Sequence, residues 1–236
     1  MEKKLLGILG GMGAEASSVF YKKIIDNTEV SNDREHIDLL LFSHASIPDR
    51  TECILGGKQE YLWGYFDKDI RMLKNAGCDY LVIPCNTSHY FADRFDKAMD
   101  GNFLNMIDEA ARYAAKFRGK RIGILATDGT VQSNMYGAAL ERYGAEAVYP
   151  SEECQKDVMS LIYDQIKRGE KGDKHQFLRV IKEMKEKQCD AVILACTELS
   201  VLKDNYSFDG PFYLDAMDVI TKVCIEKCGG KYCGSL

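Results

Sequence analysis

The sequence predicts an α/β protein of two similar parallel-sheet domains, related by pseudo-twofold symmetry, with a functional site in the cleft between them. Three observations support this prediction: short apolar runs alternate with longer amphipathic stretches, two segments of the chain are repeated, and a cysteine follows an apolar run in each half. The chain has 236 residues, of which 46% are hydrophobic, so it can bury a substantial core.

The apolar runs are short and continuous, which is typical of strands that are buried on both faces of a sheet. The predicted strands are residues 5–9, 39–42, 80–83, 122–125, 191–195 and 212–214. The predicted helices are the amphipathic stretches 14–27, 58–75, 108–116, 133–143, 152–167, 174–187 and 217–228. Strands that alternate with helices at this spacing indicate parallel sheets.

The two halves of the chain repeat each other. Residues 4–10 (KLLGILG) correspond to residues 120–126 (KRIGILA), and residues 78–87 correspond to residues 189–198, in the same order. We therefore predict a first domain of residues 1–116 plus 208–236, closed by the C-terminal strand and helix. Residues 117–207 form the predicted second domain.

Cys85 and Cys196 occupy equivalent positions in the repeat, each directly after a predicted strand. Ligands of open parallel sheets bind at the carboxyl ends of strands, so each half would offer one thiol to a shared site. Polar residues follow both cysteines, whereas a cysteine that only packs in the core would be expected among apolar neighbours. Two opposed thiols can remove the α-proton of an amino acid on one side and return a proton on the other, because a thiol with a pKa of about 8.5 can serve as base or acid.

Loss of an α-proton places negative charge on the substrate, and hydrogen-bond donors must stabilise it. Asn86, Thr87 and Thr197, which follow the cysteines, are candidates, as is the glycine loop of residues 10–13. The glycine loop also fits a dinucleotide-binding pattern, so nucleotide binding is an alternative. However, the second strand ends in Ser-His, where that pattern requires an acidic residue to bind ribose.

Composition excludes several classes of protein. The net charge of −5 is spread along the chain, so no nucleic-acid partner is expected. No apolar run approaches the roughly 20 residues that span a bilayer, and we predict a cytoplasmic protein without membrane contact. The nine cysteines are an odd number and are scattered, which favours thiols over disulfides. Cys224, Cys228 and Cys233 could be a zinc site, but no histidine lies near them and we predict no metal.

Six short motifs resemble those of the aspartate/glutamate racemase superfamily, and within it the aspartate racemase branch. They lie at residues 10–15, 47–57, 84–89, 126–130, 166–169 and 195–199, so the resemblance covers nearly the whole chain. The resemblance implies a homodimeric enzyme that uses neither pyridoxal phosphate nor any other cofactor. It also implies that Cys85 and Cys196 are the proton-transfer pair.

The resemblance further implies a set of substrate-binding residues. Arg50 and Lys167 fall where the family places cations near the carboxylates of the substrate, which suits a dicarboxylic amino acid; a surface ion pair is the alternative for both. Glu198 could orient the second thiol, or it could simply be an acidic residue at a helix N-terminus. The other predicted binding residues, which act through backbone and hydroxyl groups, are Met12, Gly13, Asn86, Thr87, Thr130 and Thr197.

The sequence departs from the family pattern at two places, of which the first should alter only loop rigidity and the second argues against a dedicated glutamate racemase. Ala14 stands where the aspartate branch often has proline, and Thr197-Glu198 stands where glutamate racemases typically have Thr-His. We predict interconversion of L- and D-aspartate. The alternatives are a broad-specificity or glutamate-preferring racemase, an isomerase or decarboxylase on the same scaffold, and a non-catalytic protein that binds a small molecule.

Overall fold

The computed structural model describes residues 3–236, which divide into two compact units. The first unit extends through Met106 and resumes with Met217–Leu236, and the second is Ile107–Ala216. Each unit contains one parallel sheet of four strands that alternate with helices. The predicted α/β class with two similar parallel sheets is therefore confirmed.

The first sheet has the strand order β2-β1-β3-β4. Its strands are β1 (Leu6–Gly10), β2 (Leu39–Ser43), β3 (Tyr80–Val82) and β4 (Phe103–Leu104). The helices of this unit are α1 (Ala14–Asp26), α2 (Arg50–Leu55), α3 (Gln59–Asn75) and α4 (Ala92–Ala98), with 3-10 turns at Asp33–Glu35 and Asn86–Phe91. The helix α5 (Met106–Phe117) begins where the chain passes into the second unit.

The second sheet has the order β6-β5-β7-β8 and repeats the first sheet strand for strand. Its strands are β5 (Arg121–Leu125), β6 (Glu146–Val148), β7 (Ala191–Leu194) and β8 (Tyr213–Asp215). Its helices are α6 (Asp128–Gln132), α7 (Met135–Arg142), α8 (Glu152–Ser160), α9 (Lys174–Glu186) and α10 (Thr197–Tyr206). A π-helical turn at Leu161–Gln165 and a 3-10 turn at Ile166–Arg168 follow α8, and α11 (Ala216–Lys227) returns the chain to the first unit.

The division of the chain differs from the predicted one in two places. The C-terminal strand was assigned to the first domain, but β8 pairs in parallel with β7 and completes the second sheet. Residues 107–116 were also assigned to the first domain, yet α5 belongs to the second unit from Ile107 onward. The physical reason is that the strand before each cysteine forms backbone hydrogen bonds to a second neighbouring strand of the same sheet. In the first sheet β4 fills this place, and in the second sheet β8 fills it.

The core of the first unit forms because α3 buries one stripe of apolar side chains. Leu62, Phe66, Ile70 and Leu73 are spaced by three or four residues and belong to one buried cluster. Met12 and Cys85 belong to the same cluster, so the loops at the carboxyl ends of β1 and β3 rest directly on this core. Among residues 3–236, no helix has the length and hydrophobicity required to cross a membrane.

Candidate active site

Cys85 lies just beyond the carboxyl end of β3, where the chain turns into the 3-10 segment Asn86–Phe91. Cys85 is buried, with 6% of its surface exposed. Asn86 and Thr87 beside it are buried as well. The backbone N–H of Cys85 donates to the carbonyl of Ile83 at 2.7 Å, and the carbonyl of Cys85 accepts from the N–H of Ser88 at 3.2 Å. The thiol therefore sits in a defined turn at the edge of the sheet where parallel folds bind ligands.

The glycine loop lies on the adjacent strand β1 and is held against the same turn. The N–H of Gly11 donates to Ser17 Oγ at 2.8 Å, and this hydroxyl donates in turn to the carbonyl of Gly13 at 2.9 Å. Met12 is buried, and its sulfur accepts a hydrogen bond from Ser88 Oγ at 3.5 Å. The structure thus brings two predicted binding residues, Met12 and Gly13, to the strand end beside that of Cys85.

Gly11 is required by both its backbone conformation and its close packing. Its φ is +92°, and a Cβ at this position would lie 2.5 Å from the carbonyl carbon of His44. We expect Gly11→Ala to lower the free energy of unfolding by about 3 kcal/mol, because the backbone around it must move.

Gly57 is the matched control, because its φ is +71° but a Cβ there would meet nothing within 4 Å. Gly57→Ala should lower the free energy of unfolding by only about 1 kcal/mol, because alanine is strained in a left-handed conformation. Urea unfolding of the two variants measures the difference. Equal losses would show that the contact with the backbone of His44 is unimportant.

Arg50 begins α2 and is buried, so it is not a surface residue. Its guanidinium donates to the carbonyl of Met12 at 3.2 Å and to the carbonyls of Ile47 and Pro48 at 3.3 and 3.1 Å. These bonds join the loop after β2 to the glycine loop after β1. A cation is therefore present beside the glycine loop, as a binding site for a carboxylate requires.

His89 is a fully buried neutral histidine in the turn that follows Cys85. Its Nδ1 lies 3.0 Å from the carbonyl oxygen of Cys85, and its Nε2 accepts a hydrogen bond from the N–H of Met106 at 3.0 Å. Only the tautomer with the proton on Nδ1 can make both bonds. Burial lowers the pKa of His89 to about 4, although the hydrogen bonds to the backbone of Cys85 and Asn86 act in the opposite direction.

The lowered pKa of His89 predicts a loss of stability in acid. The unfolded chain binds a proton at this histidine below about pH 6.5, whereas the folded chain binds it only near pH 4, so acidification through this window favours unfolding. We expect His89 to account for a loss of about 3 kcal/mol between pH 6.5 and 4. Urea unfolding of the wild type and of His89→Gln at several pH values isolates this contribution. Parallel stability curves for the two proteins would contradict it.

Cys196 lies at the carboxyl end of β7 and precedes the first turn of α10. It is 7% exposed. Its Sγ donates to Glu198 Oε2 at 2.9 Å, and Thr197 Oγ1 donates to the same oxygen at 3.3 Å. Glu198 and Thr197 are both buried, so the carboxylate faces the thiol and not the solvent. The role of Glu198 in orienting the second thiol stays a prediction, and this hydrogen bond is the contact through which it would act.

The surroundings of Cys196 contain further acidic groups. Tyr136 is fully buried, and burial together with the nearby Asp215 and Cys196 raises its pKa well above the ordinary value. Asp215 ends β8 and accepts a hydrogen bond from Ser200 Oγ at 2.7 Å. Asp215 Oδ2 also lies 3.9 Å from the ammonium of Lys203, so the surroundings of the second thiol contain a cation as well as acidic groups.

Thr130 and Lys167 occupy different positions in the second unit. Thr130 is buried in α6, the short helix that follows β5, and its hydroxyl lies 3.2 Å from that of Thr127. Lys167 is exposed in the 3-10 turn after α8, and its ammonium lies 3.8 Å from the centroid of the Tyr163 ring. Tyr163 and Asp128 help to line a cavity of about 500 Å³ in this unit. Lys167 contacts the ring of Tyr163, but the residues that line the cavity include neither Lys167 nor either of the two cysteines.

Sequence reasoning missed a pairing of His44 with Asp69. His44 Nδ1 lies 2.6 Å from Asp69 Oδ2, and Asp69 is buried in α3. A signal was present, since Asp69 interrupts the apolar stripe of α3 between Phe66 and Ile70. In the described part of the chain, no group of three His, Cys, Asp or Glu side chains is arranged to hold a metal ion.

Comparison with known proteins identifies the family. The model of the Asp/Glu/hydantoin racemase family matches residues 9–223. The chain belongs to this family. The broad specificity amino-acid racemase RacX of Bacillus subtilis (strain 168) is 26% identical over an alignment of 236 positions. The alignment covers 94% of this chain and 97% of RacX. The glutamate racemase of Aquifex aeolicus is 33% identical over 147 residues, 61% of this chain and 56% of that enzyme.

Solved structures of the racemase family have the same fold. Picrophilus torridus aspartate racemase superposes with a TM-score of 0.84 at 30% identity, covering 97% of this chain and 96% of that one. Glutamate racemase from Francisella tularensis, in complex with D-glutamate, has a TM-score of 0.66 at 17% identity and covers 96% and 81%. The predicted family resemblance is confirmed, and this member of the family is a racemase, an isomerase. The names of its relatives include aspartate, glutamate and broad-specificity racemases, so membership alone does not fix the substrate.

Proposed function

We propose that this racemase interconverts L- and D-aspartate by proton transfer between the α-carbon and two thiols, Cys85 and Cys196, without a cofactor. The observation that carries this proposal is the equivalence of the two cysteines. Each lies two or three residues beyond the end of the third strand of its own sheet, each is nearly buried, and each is followed by buried polar residues. A matched pair of this kind suits a reaction that runs equally in both directions.

The chemistry requires one base and one acid. The thiolate of one cysteine takes the α-proton, and the thiol of the other gives its proton to the opposite face of the carbanion. After turnover the first cysteine is a thiol and the second a thiolate, which is the starting state for the other enantiomer. The hydrogen bond from Cys196 to Glu198 favours the thiol form of Cys196, because a carboxylate at 2.9 Å repels a second negative charge.

Stabilisation of the carbanion is assigned to donors at the ends of the strands. Asn86 and Thr87 follow Cys85, Thr197 follows Cys196, and Thr130 lies in α6, the short helix after β5. Backbone and hydroxyl donors of this kind act strongly where water is excluded, and all four residues are buried. We assign the same role to the backbone of Met12 and Gly13 in the glycine loop.

Aspartate is the proposed substrate because a second carboxylate needs a cation. Arg50 supplies one beside the glycine loop, and we assign a second to Lys167, which is exposed and lies beside Tyr163. The 30% identity with an aspartate racemase over 97% of the chain supports the same choice. Broad specificity is the second candidate, since the similarity to RacX extends over 94% of the chain.

Chiral chromatography with both enantiomers of aspartate, glutamate and alanine tests the proposal, together with exchange of the α-proton in deuterated water. We expect kcat/KM for aspartate to exceed that for glutamate by about 10-fold or more, because one methylene is worth about 1 to 3 kcal/mol in a pocket. Similar values for alanine and aspartate would support broad specificity instead. Absence of α-proton exchange with every amino acid would overturn the racemase mechanism.

Lys167→Gln tests the second cation. We expect KM for aspartate to rise about 10-fold and KM for alanine to stay unchanged, because only aspartate has the additional carboxylate. Arg168→Gln is the matched control, since Arg168 is the exposed neighbour and pairs with Asp164. Initial rates over a range of substrate concentrations give both constants. An equal change for both variants would remove Lys167 from the binding site.

The family resemblance also leads us to propose a homodimer that acts on a small dicarboxylic amino acid. Sedimentation equilibrium of the purified protein measures the oligomeric state directly. A mass equal to one chain at all concentrations would contradict the dimer without affecting the proposed chemistry.

A further inference from the structure

We propose that His89 and Ser200 are equivalent positioning residues, each of which braces one thiol turn against the end of the neighbouring strand. This inference rests on the proposed function, in which Cys85 and Cys196 transfer protons. Neither residue needs to touch the substrate. Each acts through a hydrogen bond to a residue at the end of the neighbouring strand of its own sheet.

The two residues hold the same place in the duplicated chain. His89 is the fourth residue after Cys85, and Ser200 is the fourth after Cys196. Both are buried, with 4% and 1% of their surface exposed. Buried polar side chains destabilise a fold unless they are hydrogen-bonded, so two polar residues at one repeated position indicate a shared requirement.

In the first unit the brace is an imidazole. His89 donates from Nδ1 to the carbonyl of Cys85 and accepts at Nε2 from the N–H of Met106, both at 3.0 Å. Met106 follows β4, and β4 pairs with β3, the strand that ends before Cys85. The ring therefore connects the cysteine itself with the first residue of α5.

In the second unit the brace is a hydroxyl. Ser200 Oγ donates to Asp215 Oδ1 at 2.7 Å, and the N–H of Ser200 donates to the carbonyl of Cys196 at 3.4 Å. Asp215 is the last residue of β8, and β8 pairs with β7, the strand that ends before Cys196. The same connection is thus made with different chemical groups, which is why the repeat is not evident from residue identity.

These braces matter because proton transfer depends steeply on the position of the reacting atoms. A displacement of about 1 Å can lower a rate by about 100-fold. Loss of the brace does not change the thiol group itself, but it allows the turn that contains the cysteine to move. We therefore expect a lower kcat with little change in KM. Only the proton transfers made by one of the two thiols should be affected.

Three substitutions at His89 separate its two hydrogen bonds. Asparagine places an amide near the position of Nδ1 and retains the bond to Cys85, whereas glutamine places an amide near Nε2 and retains the bond to Met106. Phenylalanine removes both bonds. We expect kcat to fall about 100-fold in His89→Phe and about 10-fold or more in His89→Asn and His89→Gln, with KM changed less than about 3-fold, because each amide variant retains only one of the two bonds that join the thiol turn to the neighbouring strand.

Ser200→Ala is the corresponding variant in the second unit, and Thr221→Val is the matched control. Thr221 is a buried residue whose hydroxyl donates to the carbonyl of Met217 at 2.8 Å, far along the chain from both thiol turns. We expect Ser200→Ala to lower kcat about 10-fold or more, whereas Thr221→Val should lower stability without changing kcat. Thermal unfolding of every variant establishes that it is folded.

Two readouts assign each effect to one thiol. Alkylation by iodoacetamide, quantified for each cysteine by mass spectrometry, should change at Cys85 alone in His89→Phe and at Cys196 alone in Ser200→Ala. With α-deuterated aspartate, the isotope effect on kcat/KM should rise for one enantiomer in His89→Phe and for the opposite enantiomer in Ser200→Ala. This reversal follows because each thiol deprotonates only one enantiomer.

The outcomes distinguish the inference from the proposed function. If Cys85→Ser and Cys196→Ser are inactive while Ser200→Ala, His89→Gln and His89→Phe keep kcat within about 3-fold of wild type, the braces are overturned and the two-thiol reaction stands. If a brace variant alters the alkylation of both cysteines equally, the effect is general loosening and the inference is also overturned. Full activity of either serine variant would instead overturn the proposed function itself.

Discussion

Cys85→Ser and Cys196→Ser are each expected to lower the rate of aspartate racemisation by about 1,000-fold or more. A positioned general acid or base contributes about 100-fold to 10,000-fold to a reaction, and a serine hydroxyl is far too weak an acid to replace a thiol at neutral pH. Because racemisation uses both thiols in each direction, either substitution should affect L-to-D and D-to-L conversion alike. Chiral chromatography of initial rates from both enantiomers measures this.

Two other cysteines provide the matched controls. Cys78 and Cys189 begin the repeated segments and are 6% and 8% exposed, which is as buried as the two proposed catalytic thiols. Burial is the first cause that raises the pKa of each of these control thiols. Cys78→Ala and Cys189→Ala should lower the unfolding free energy by about 1 kcal/mol and leave kcat within about 3-fold of wild type. Comparable inactivation of the control variants would show that thiol loss acts through packing.

The fold was predictable where the sequence repeats itself. Residues 4–10 and 120–126 became the central strands β1 and β5, and the neighbours of these strands follow in the same order in both sheets. The assignment of the last strand was not predictable, because β4 and β8 are only two and three residues long. Such short apolar segments contain no local information about which sheet they join, and pairing with β7 decides it.

The candidate site was predictable where its residues are neighbours in the chain. The segments that follow the two cysteines contain their polar contacts within four residues, as the bond from Cys196 to Glu198 shows. The carbonyl of Met12 is joined to Arg50 across 38 residues, and the bond between His44 and Asp69 spans 25 residues. Contacts of this kind depend on which helix packs on which strand, so residue types and spacing alone could not reveal them.

Glu198→Gln is expected to lower racemisation by about 10-fold to 100-fold for the enantiomer that requires Cys196 as the acid. Glutamine has nearly the same shape as glutamate but is neutral, so the variant removes a charge-assisted hydrogen bond, which is worth about 1.5 to 3 kcal/mol. Without the carboxylate at 2.9 Å, the thiolate of Cys196 is no longer repelled. Cys196 should then be deprotonated more often and be unable to act as the acid.

Two measurements follow from this change of charge. Alkylation of Cys196 at neutral pH should be about 10-fold faster in Glu198→Gln, while alkylation of Cys85 should be unchanged, because a tenfold gain in thiolate corresponds to about 1.4 kcal/mol. The alkaline limb of the pH–rate profile should move to lower pH. The direction follows from the sign of the charge, since the wild-type carboxylate keeps the acid form of the thiol to higher pH.

The competing explanation is that Glu198 only stabilises the N-terminus of α10. Glu153 lies in the first turn of α8 and is exposed, so Glu153→Gln measures that effect by itself, at about 0.3 to 1 kcal/mol of stability and no change in kcat. If Glu198→Gln shows the same small loss of stability, an unchanged pH–rate profile and wild-type alkylation of Cys196, the carboxylate does not control the thiol. A shifted profile together with selective alkylation of Cys196 would establish that a single buried carboxylate holds Cys196 in its acid form.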